Sequence, residues 1–287
     1  MSNSKIAVTA ANGKLGTSIV NALKKEIGKE NIIGIVRSPE KATHLGIEVR
    51  KGDYNSREEY NNALSGVDTV LLISGMDEPQ KRIQQHRNVI EASKTNGVQK
   101  IVYTSIIGDE EKNAFSPIVQ SNRQTEKDVQ ESGLDWVIGR NGIYIEPDLE
   151  YLDVYIEEGE IRNCADNGKC AYTSRPEISY AYAKMLTEEI HNSQIYNLVG
   201  DAITQKELAD LINTVFNTNL SYTSVSVQEY ATERKQALGE FLGTIIAGIY
   251  EGIKDGANDV TSDFNKATGR SHKTPLQIIK EWKVAHD

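Results

Sequence analysis

The sequence is short of cysteine and of basic charge, and it contains no long apolar run. Its two cysteines, Cys164 and Cys170, have neither a C-x-x-C spacing nor a neighbouring histidine, so no disulfide framework or zinc site is supported. The five histidines (His44, His86, His191, His272 and His286) form no H-x-x-x-H or H-x-E pair, and no catalytic metal is expected. No stretch approaches the roughly 18 consecutive apolar residues of a membrane span. The first apolar run, Ile6 to Val8, is too short for a signal peptide. The expectation is a soluble, unprocessed, cytoplasmic chain with no membrane partner. With 32 Lys and Arg against 41 Asp and Glu, the formal net charge is −9, which argues against nucleic acid as the main partner.

What is present is an ordinary globular composition, 38% hydrophobic over 287 residues, enough to bury a core. Through about residue 140, short β-branched runs alternate with amphipathic stretches of helical length, the pattern of a parallel sheet flanked by helices. Strands are predicted at Lys5–Thr9, Asn31–Val36, Ile47–Lys51, Thr69–Ile73, Lys100–Thr104 and Asp135–Ile138. Helices are predicted at Lys14–Ile27, Arg57–Leu64, Pro79–Asn96 and Pro117–Ser132. Ser56-Arg-Glu-Glu59, Thr204-Gln-Lys-Glu207 and Ser226-Val-Gln-Glu229 read as capping boxes. After Arg140 the rhythm is irregular, with a predicted helix at Tyr180–His191 and a short strand at Tyr196–Val199. The fold class is α/β, a Rossmann-type doubly wound parallel sheet over 1–140, completed by roughly 171–200. A smaller mixed α/β C-terminal substrate domain is expected from 141–170 and 201–287.

The most informative stretch is Ile6-Ala-Val-Thr-Ala10-Ala-Asn12-Gly13-Lys14-Leu15-Gly16, because it follows a strand and opens a helix. There, glycine-rich backbone lets a pyrophosphate approach N–H groups at the positive end of the helix dipole. Of the three positions of G-x-x-G-x-x-G, Gly13 and Gly16 are kept and Ala10 replaces the first. A methyl there is tolerable if φ is negative. The second strand ends Ile35-Val36-Arg37-Ser38, with Lys41 beyond and no carboxylate before Glu40. An NAD-selective site would place an acid near that point. Arg37, with Lys14 and Lys41 nearby, instead suits a 2′-phosphate, so NADPH is expected over NADH. Asp53-Tyr54 and Ser74-Gly75 end the third and fourth strands, where open α/β sheets bind ligands.

A standard reductase of this fold carries Tyr-x-x-x-Lys on the helix after the fifth strand, but that helix here, Gln120 to Lys127, has no tyrosine. Tyr180-Ala-Tyr-Ala-Lys184 comes too late in the chain and reads as a chance match. Without a dedicated acid, ketone reduction, dehydration and epimerisation lose ground. Hydride transfer to a conjugated acceptor such as a quinone does not. Arg140-Asn141-Gly-Ile-Tyr144 follows the sixth strand, where Asn141 is positioned to hydrogen-bond an acceptor oxygen and Tyr144 to stack on a flat ring. A turn with a tyrosine covering the cleft floor reads equally well. The apolar stretch Phe241–Tyr250 reads as a core or lid helix, or as a substrate wall.

These residues resemble the NmrA-like branch of the atypical short-chain dehydrogenase/reductases, especially the bacterial NAD(P)H:quinone oxidoreductase and triphenylmethane reductase group. The resemblance rests on the glycine loop together with Ile35-Val-Arg-Ser-Pro-Glu-Lys41, Gly52-Asp-Tyr54, Leu71-Leu-Ile-Ser-Gly75, Gln85-His-Arg-Asn-Val-Ile90, Tyr103-Thr-Ser105, Arg140-Asn-Gly142 and Tyr196-Asn-Leu-Val-Gly200. It implies a Rossmann domain with a small C-terminal domain. It implies NADPH held across the loop, Arg37, Lys41, Asp53, Tyr54, Ser74, Gly75, Thr104 and Ser105. It also implies flavin-free, metal-free hydride transfer to quinone-like or dye acceptors. Ala10 and Asn12 depart from the family's Gly and Thr, and Asn122 stands where relatives carry His or Lys, which casts it as a residue positioning the acceptor. The alternative from a different class is a non-catalytic NAD(P)-sensing regulator acting through a protein partner, and a homodimer is left open.

Overall fold

The first strands are unbroken apolar runs, Ile-Ala-Val-Thr, Ile-Ile-Gly-Ile-Val and Thr-Val-Leu-Leu, buried at every position. Such runs belong to a sheet covered on both faces. The computed structural model describes residues 4–286. Seven parallel strands, β1 (Ile6–Thr9), β2 (Ile32–Val36), β3 (Glu48–Lys51), β4 (Thr69–Leu72), β5 (Lys100–Ile106), β6 (Asp135–Asn141) and β9 (Gln194–Leu198), lie in the order β3-β2-β1-β4-β5-β6-β9. The chain reverses its direction of travel across the sheet between β1 and β4. Such a switch point opens a crevice at the carboxyl ends of the strands.

Helices α1 (Lys14–Ile27) and α7 (Arg175–Thr187) cover one face, with Ile19, Val20 and Leu23 packed among Val8, Leu71 and Val102. Helices α2 (Arg57–Ala63), α3 (Pro79–Thr95) and α4 (Ser116–Gln130) cover the other through Tyr60, Val89, Ile90 and Val129. The helix predicted at Tyr180–His191 starts earlier because the Ser174 hydroxyl accepts from the Glu177 N–H. It also ends earlier, at Thr187, before a short 3-10 turn at Glu189–His191.

The remaining elements build a second core. Helices α5 (Glu146–Glu150) and α6 (Leu152–Glu158) precede β7 (Glu160–Asn163) and β8 (Lys169–Ala171). Strand β8 pairs with β10 (Ala202–Thr204) and β7 with β11 (Ser221–Ser224). Helices α8 (Gln205–Phe216), α9 (Val227–Leu238), α10 (Glu240–Lys254) and α12 (Pro275–His286) complete this part. Its core gathers Ile145, Leu149, Ile161, Tyr172, Leu208, Ile253 and Ile279. Helix α11 (Phe264–Thr268) departs from the expected division, because Phe264 and Ala267 join the core shared by α1 and α7. Cys164 and Cys170 are free and buried. No helix among the described residues is long and apolar enough to cross a membrane, and none of their His, Cys, Asp or Glu side chains form a group able to hold a metal.

Candidate active site

Helices α2, α7, α8 and α9 begin under side-chain caps from Ser56, Ser174, Thr204 and Ser226. Helix α1 does not: Gly13 is its N-cap, no side chain caps it, and no acidic residue lies in its first turn. Its first N–H groups are therefore left for an anion in the cleft that Gly13 lines. Gly13 itself has φ −75°. Gly16 is the position that admits no side chain, since a Cβ there would lie 2.4 Å from the Ala10 carbonyl oxygen and 2.8 Å from Ala11 Cα.

Ala10 has φ +47°, against the expectation of a negative value. The turn imposes this conformation, the Gly13 N–H donating to the Ala10 carbonyl at 3.0 Å. A non-glycine residue in the left-handed region costs about 1–2 kcal/mol. Ala10→Gly removes that strain and adds about 0.4–1 kcal/mol of unfolded-chain entropy. The expected net result is a gain of about 0.5–1 kcal/mol, read as a higher urea midpoint at unchanged m-value.

The cleft encloses about 400 Å³ at the carboxyl ends of β1 to β4. Ala10, Asn12 and Gly13 line it from the loop, Arg37 after β2, Asp53 and Tyr54 after β3, and Ser74 and Gly75 after β4. A closed ring of hydrogen bonds ties these strand ends together. Thr9 Oγ1 accepts from the Ile73 N–H (2.9 Å) and donates to the Tyr54 hydroxyl oxygen (2.6 Å), which donates to the Ile73 carbonyl (2.6 Å). Arg37 is exposed and makes no ion pair among the described residues. The expected basic cluster reduces to this one side chain. Lys14 Nζ lies 2.8 Å from Glu150 and links α1 to α5, while Lys41 ends an exposed 3-10 turn outside the cleft lining. Leu15 packs against the sheet core.

The Ser74-Gly75 turn is held from below. Thr104 Oγ1 accepts from the Ser74 N–H (2.8 Å), and the buried Ser105 hydroxyl donates to Glu126 (2.5 Å). Both threonine and serine therefore support the floor with their hydroxyls turned inward. Asn122, expected to position the acceptor, is buried, with both its Oδ1 and its Nδ2 in hydrogen bonds. Its Oδ1 accepts from Tyr103 (2.7 Å) and Ser74 Oγ (3.1 Å), and its Nδ2 donates to the Ile118 carbonyl (2.8 Å). It can act on the cleft only through Ser74.

His86, within the Gln85–Ile90 stretch that carries the resemblance but given no role there, and Arg82, not singled out in the sequence, lie on the buried face of α3 beside the Gln85 that lines the cleft. For Arg82 the one signal is a polar residue at helical spacing with an apolar face. His86 Nε2 accepts from the Gly75 N–H (3.0 Å), so the proton sits on Nδ1 and is donated to Thr125 Oγ1 (2.9 Å). Burial, and secondarily the Arg82 charge, pull the imidazole pKa down to about 3. An unfolded histidine titrates near 6.5. Between those values the unfolded chain binds a proton that the folded chain refuses, so this stabilisation is lost as pH falls, by about 1.4 kcal/mol per unit. From pH 7 to pH 5 the loss from this group is about 2 kcal/mol. His86→Gln, which keeps an acceptor for Gly75, is expected to lack that increment in urea unfolding at the two pH values.

On the sheet's other side, Asn141 is buried and also engaged: its Oδ1 accepts from Tyr182 (2.8 Å) and its Nδ2 donates to the Tyr144 hydroxyl oxygen (2.9 Å). Burial and these two bonds, together with its place outside the residues lining the cleft, set it behind Tyr144 rather than against an acceptor. Tyr144 packs against the core shared by α1 and α7, its phenol raised above its ordinary pKa by burial and thus held protonated. Tyr180 and Lys184 do not line the cleft. Lys184 faces Glu26 and Glu188, and Arg270 lies 4.4 Å over the Tyr180 ring.

The NAD(P)H-binding family model matches residues 10–189. Quinone oxidoreductase 2 of Escherichia coli is 35% identical over 236 residues, 80% of this chain and 81% of that protein. The chain belongs to the NAD(P)H-binding, NmrA-like family. The NADPH complex of the Escherichia coli quinone oxidoreductase superposes with a TM-score of 0.89 at 32% identity, over 97% of this chain and 99% of that one. The Citrobacter sp. triphenylmethane reductase complexed with NADP(H) gives 0.89 at 33% identity, over 96% and 99%. Family membership accounts for the uncapped α1 terminus opening on the cleft.

Proposed function

We propose that the protein is an NADPH-dependent, flavin-free reductase that passes hydride to quinone-like or other electron-poor conjugated acceptors. The observation that carries the reading is the bare N-terminus of α1, which opens on a cleft whose only neighbouring unpaired cation among the lining residues is Arg37. A quinone oxidoreductase and an NAD(P)H azoreductase among its relatives support the acceptor class. The residues fit the cofactor: Gly16 admits the close approach of loop and helix, and Arg37 offers two parallel donors to a 2′-phosphate. When bound, the dihydronicotinamide supplies the hydride.

The chain's contribution is orientation and one proton. A quinone that gains hydride needs one proton to become the hydroquinone. We assign it to Tyr144, which follows β6 and lies outside the residues lining the cleft: its oxygen accepts from Asn141, and its own proton is in no hydrogen bond among the described residues. Asn141, steadied by Tyr182, acts as the positioning residue. General acid help of this kind is worth about 10²–10⁴-fold where the product is strongly basic. A hydroquinone anion is stabilised by conjugation, so a fall of about tenfold in kcat is expected for Tyr144→Phe, with NADPH affinity unchanged. Steady-state kinetics with a para-quinone check this; an unaltered kcat removes Tyr144 from the chemistry.

A further inference from the structure

A second cavity, of about 700 Å³, lies between α5–α6 and the α9–α10 hairpin, and it shares no lining residue with the cofactor cleft. Helix α5 stands between them, with Glu150 reaching Lys14 on one side and Asp148 lining the cavity on the other. The cavity walls are aromatic. Tyr151 and Tyr155 meet edge to face at 5.3 Å, as do Tyr230 and Tyr250 at 5.4 Å. Helix α10, read from the sequence as core, lid or wall, serves as wall here through Ile246 and Tyr250, while Gly248 presses on the backbone at Ala114–Phe115.

At the floor is Asp148, 5% exposed. Its Oδ1 accepts from the hydroxyls of Tyr155 (2.9 Å) and Tyr250 (3.2 Å), the Tyr172 hydroxyl also faces the carboxyl, burial raises its pKa, and no cationic side chain pairs with it among the described residues. Phenol donors ease a buried carboxylate without neutralising it, and a buried charge is stable when it is paired. Around the rim, Glu158, Glu160 and Glu233 outnumber Arg162 and Arg234. Arg162 is occupied by Glu229 and Glu233. Arg234 lies 5.3 Å over the Tyr230 ring, so one tyrosine face of this cavity already takes a cation.

The geometry points to a second ligand site, distinct from the cofactor cleft, for a small organic ammonium ion whose charge meets the Asp148 carboxylate and whose apolar body lies against the tyrosine rings. Tyrosine faces attract cations and carboxylates accept charge-assisted hydrogen bonds, so both wall and floor discriminate for positive charge. A cavity of this size holds an aromatic amine with room to spare.

The test is calorimetric titration of the full chain with benzylammonium and with neutral benzyl alcohol, each with and without saturating NADP⁺. One benzylammonium per chain is expected, about tenfold tighter than the alcohol and undisturbed by NADP⁺. Asp148→Asn is expected to weaken the amine about tenfold and leave the alcohol unchanged. Should that buried change unfold the protein, Glu158→Gln at the exposed rim is expected to weaken the amine about twofold. Equal binding of amine and alcohol, displacement of the amine by NADP⁺, or full affinity in the variants would each overturn the site. Benzylammonium has no group that accepts hydride, so its failure to bind leaves the reductase reading untouched.

Discussion

Gly16→Ala is expected to lower stability by about 2–3 kcal/mol and to weaken NADPH binding by about 30-fold or more. The added Cβ would meet the Ala10 carbonyl oxygen at 2.4 Å and Ala11 Cα at 2.8 Å, and both are backbone atoms. No side chain can swing aside, so the loop must part from α1. The same movement spoils the stretch of N–H groups that receives the pyrophosphate, where a displacement of about 1 Å is costly. Gly13→Ala is the internal control for stability. Its φ is −75° and its nearest contact would be 3.3 Å, so a loss under about 1 kcal/mol is expected. Urea unfolding and NADPH titration of the two variants check both statements; equal stabilities would show that the close approach does not govern the loop.

The second large effect concerns cofactor choice. Arg37→Ala is expected to weaken NADPH about 30-fold while changing NADH affinity less than about twofold, because only the 2′-phosphate meets the guanidinium. The exposed position of Arg37 keeps the effect below that of a buried pair and makes it salt-dependent. Lys14→Ala should do far less, since Lys14 is already bound to Glu150. The Asp77 carboxylate, held below its usual range by Gln85 and Lys81 with a smaller contribution from Arg37, keeps its charge near this site. Parallel NADPH and NADH titrations of the wild type and both variants measure the selectivity directly. Tighter NADH binding by the wild type would reverse the cofactor assignment.

The parallel sheet and α1 were legible because their signals are local. Apolar β-branched runs mark strands buried on two faces, and an apolar i, i+3, i+4 stripe between Gly13 and Gly28 bounded α1 at Lys14–Ile27, where the structure has it. The ends of β5 and β6 were not legible. Ser105, Arg140 and Asn141 look like loop residues, yet the strands continue through them because Glu126 and Tyr182 satisfy their polar groups. Side-chain roles at the site failed for a similar reason. Asn122 and Asn141 carry the right chemistry to touch a ligand, but long-range partners have already taken both ends of each amide. Ala10 needed its φ, which no neighbouring residue type reveals. The tyrosine cavity joins positions about 100 residues apart, such as Asp148 and Tyr250, and no spacing rule connects them.

Flavin-free hydride delivery from bound NADPH to a conjugated acceptor, as proposed, can be measured directly. The direct measurement is NADPH consumption at 340 nm by purified protein whose spectrum carries no flavin bands, with and without a panel of para-quinones and cationic dyes. The account predicts acceptor-dependent oxidation, one NADPH per quinone reduced, and slower turnover in Tyr144→Phe. Protein that binds NADPH yet oxidises it no faster with any acceptor than without would contradict the account.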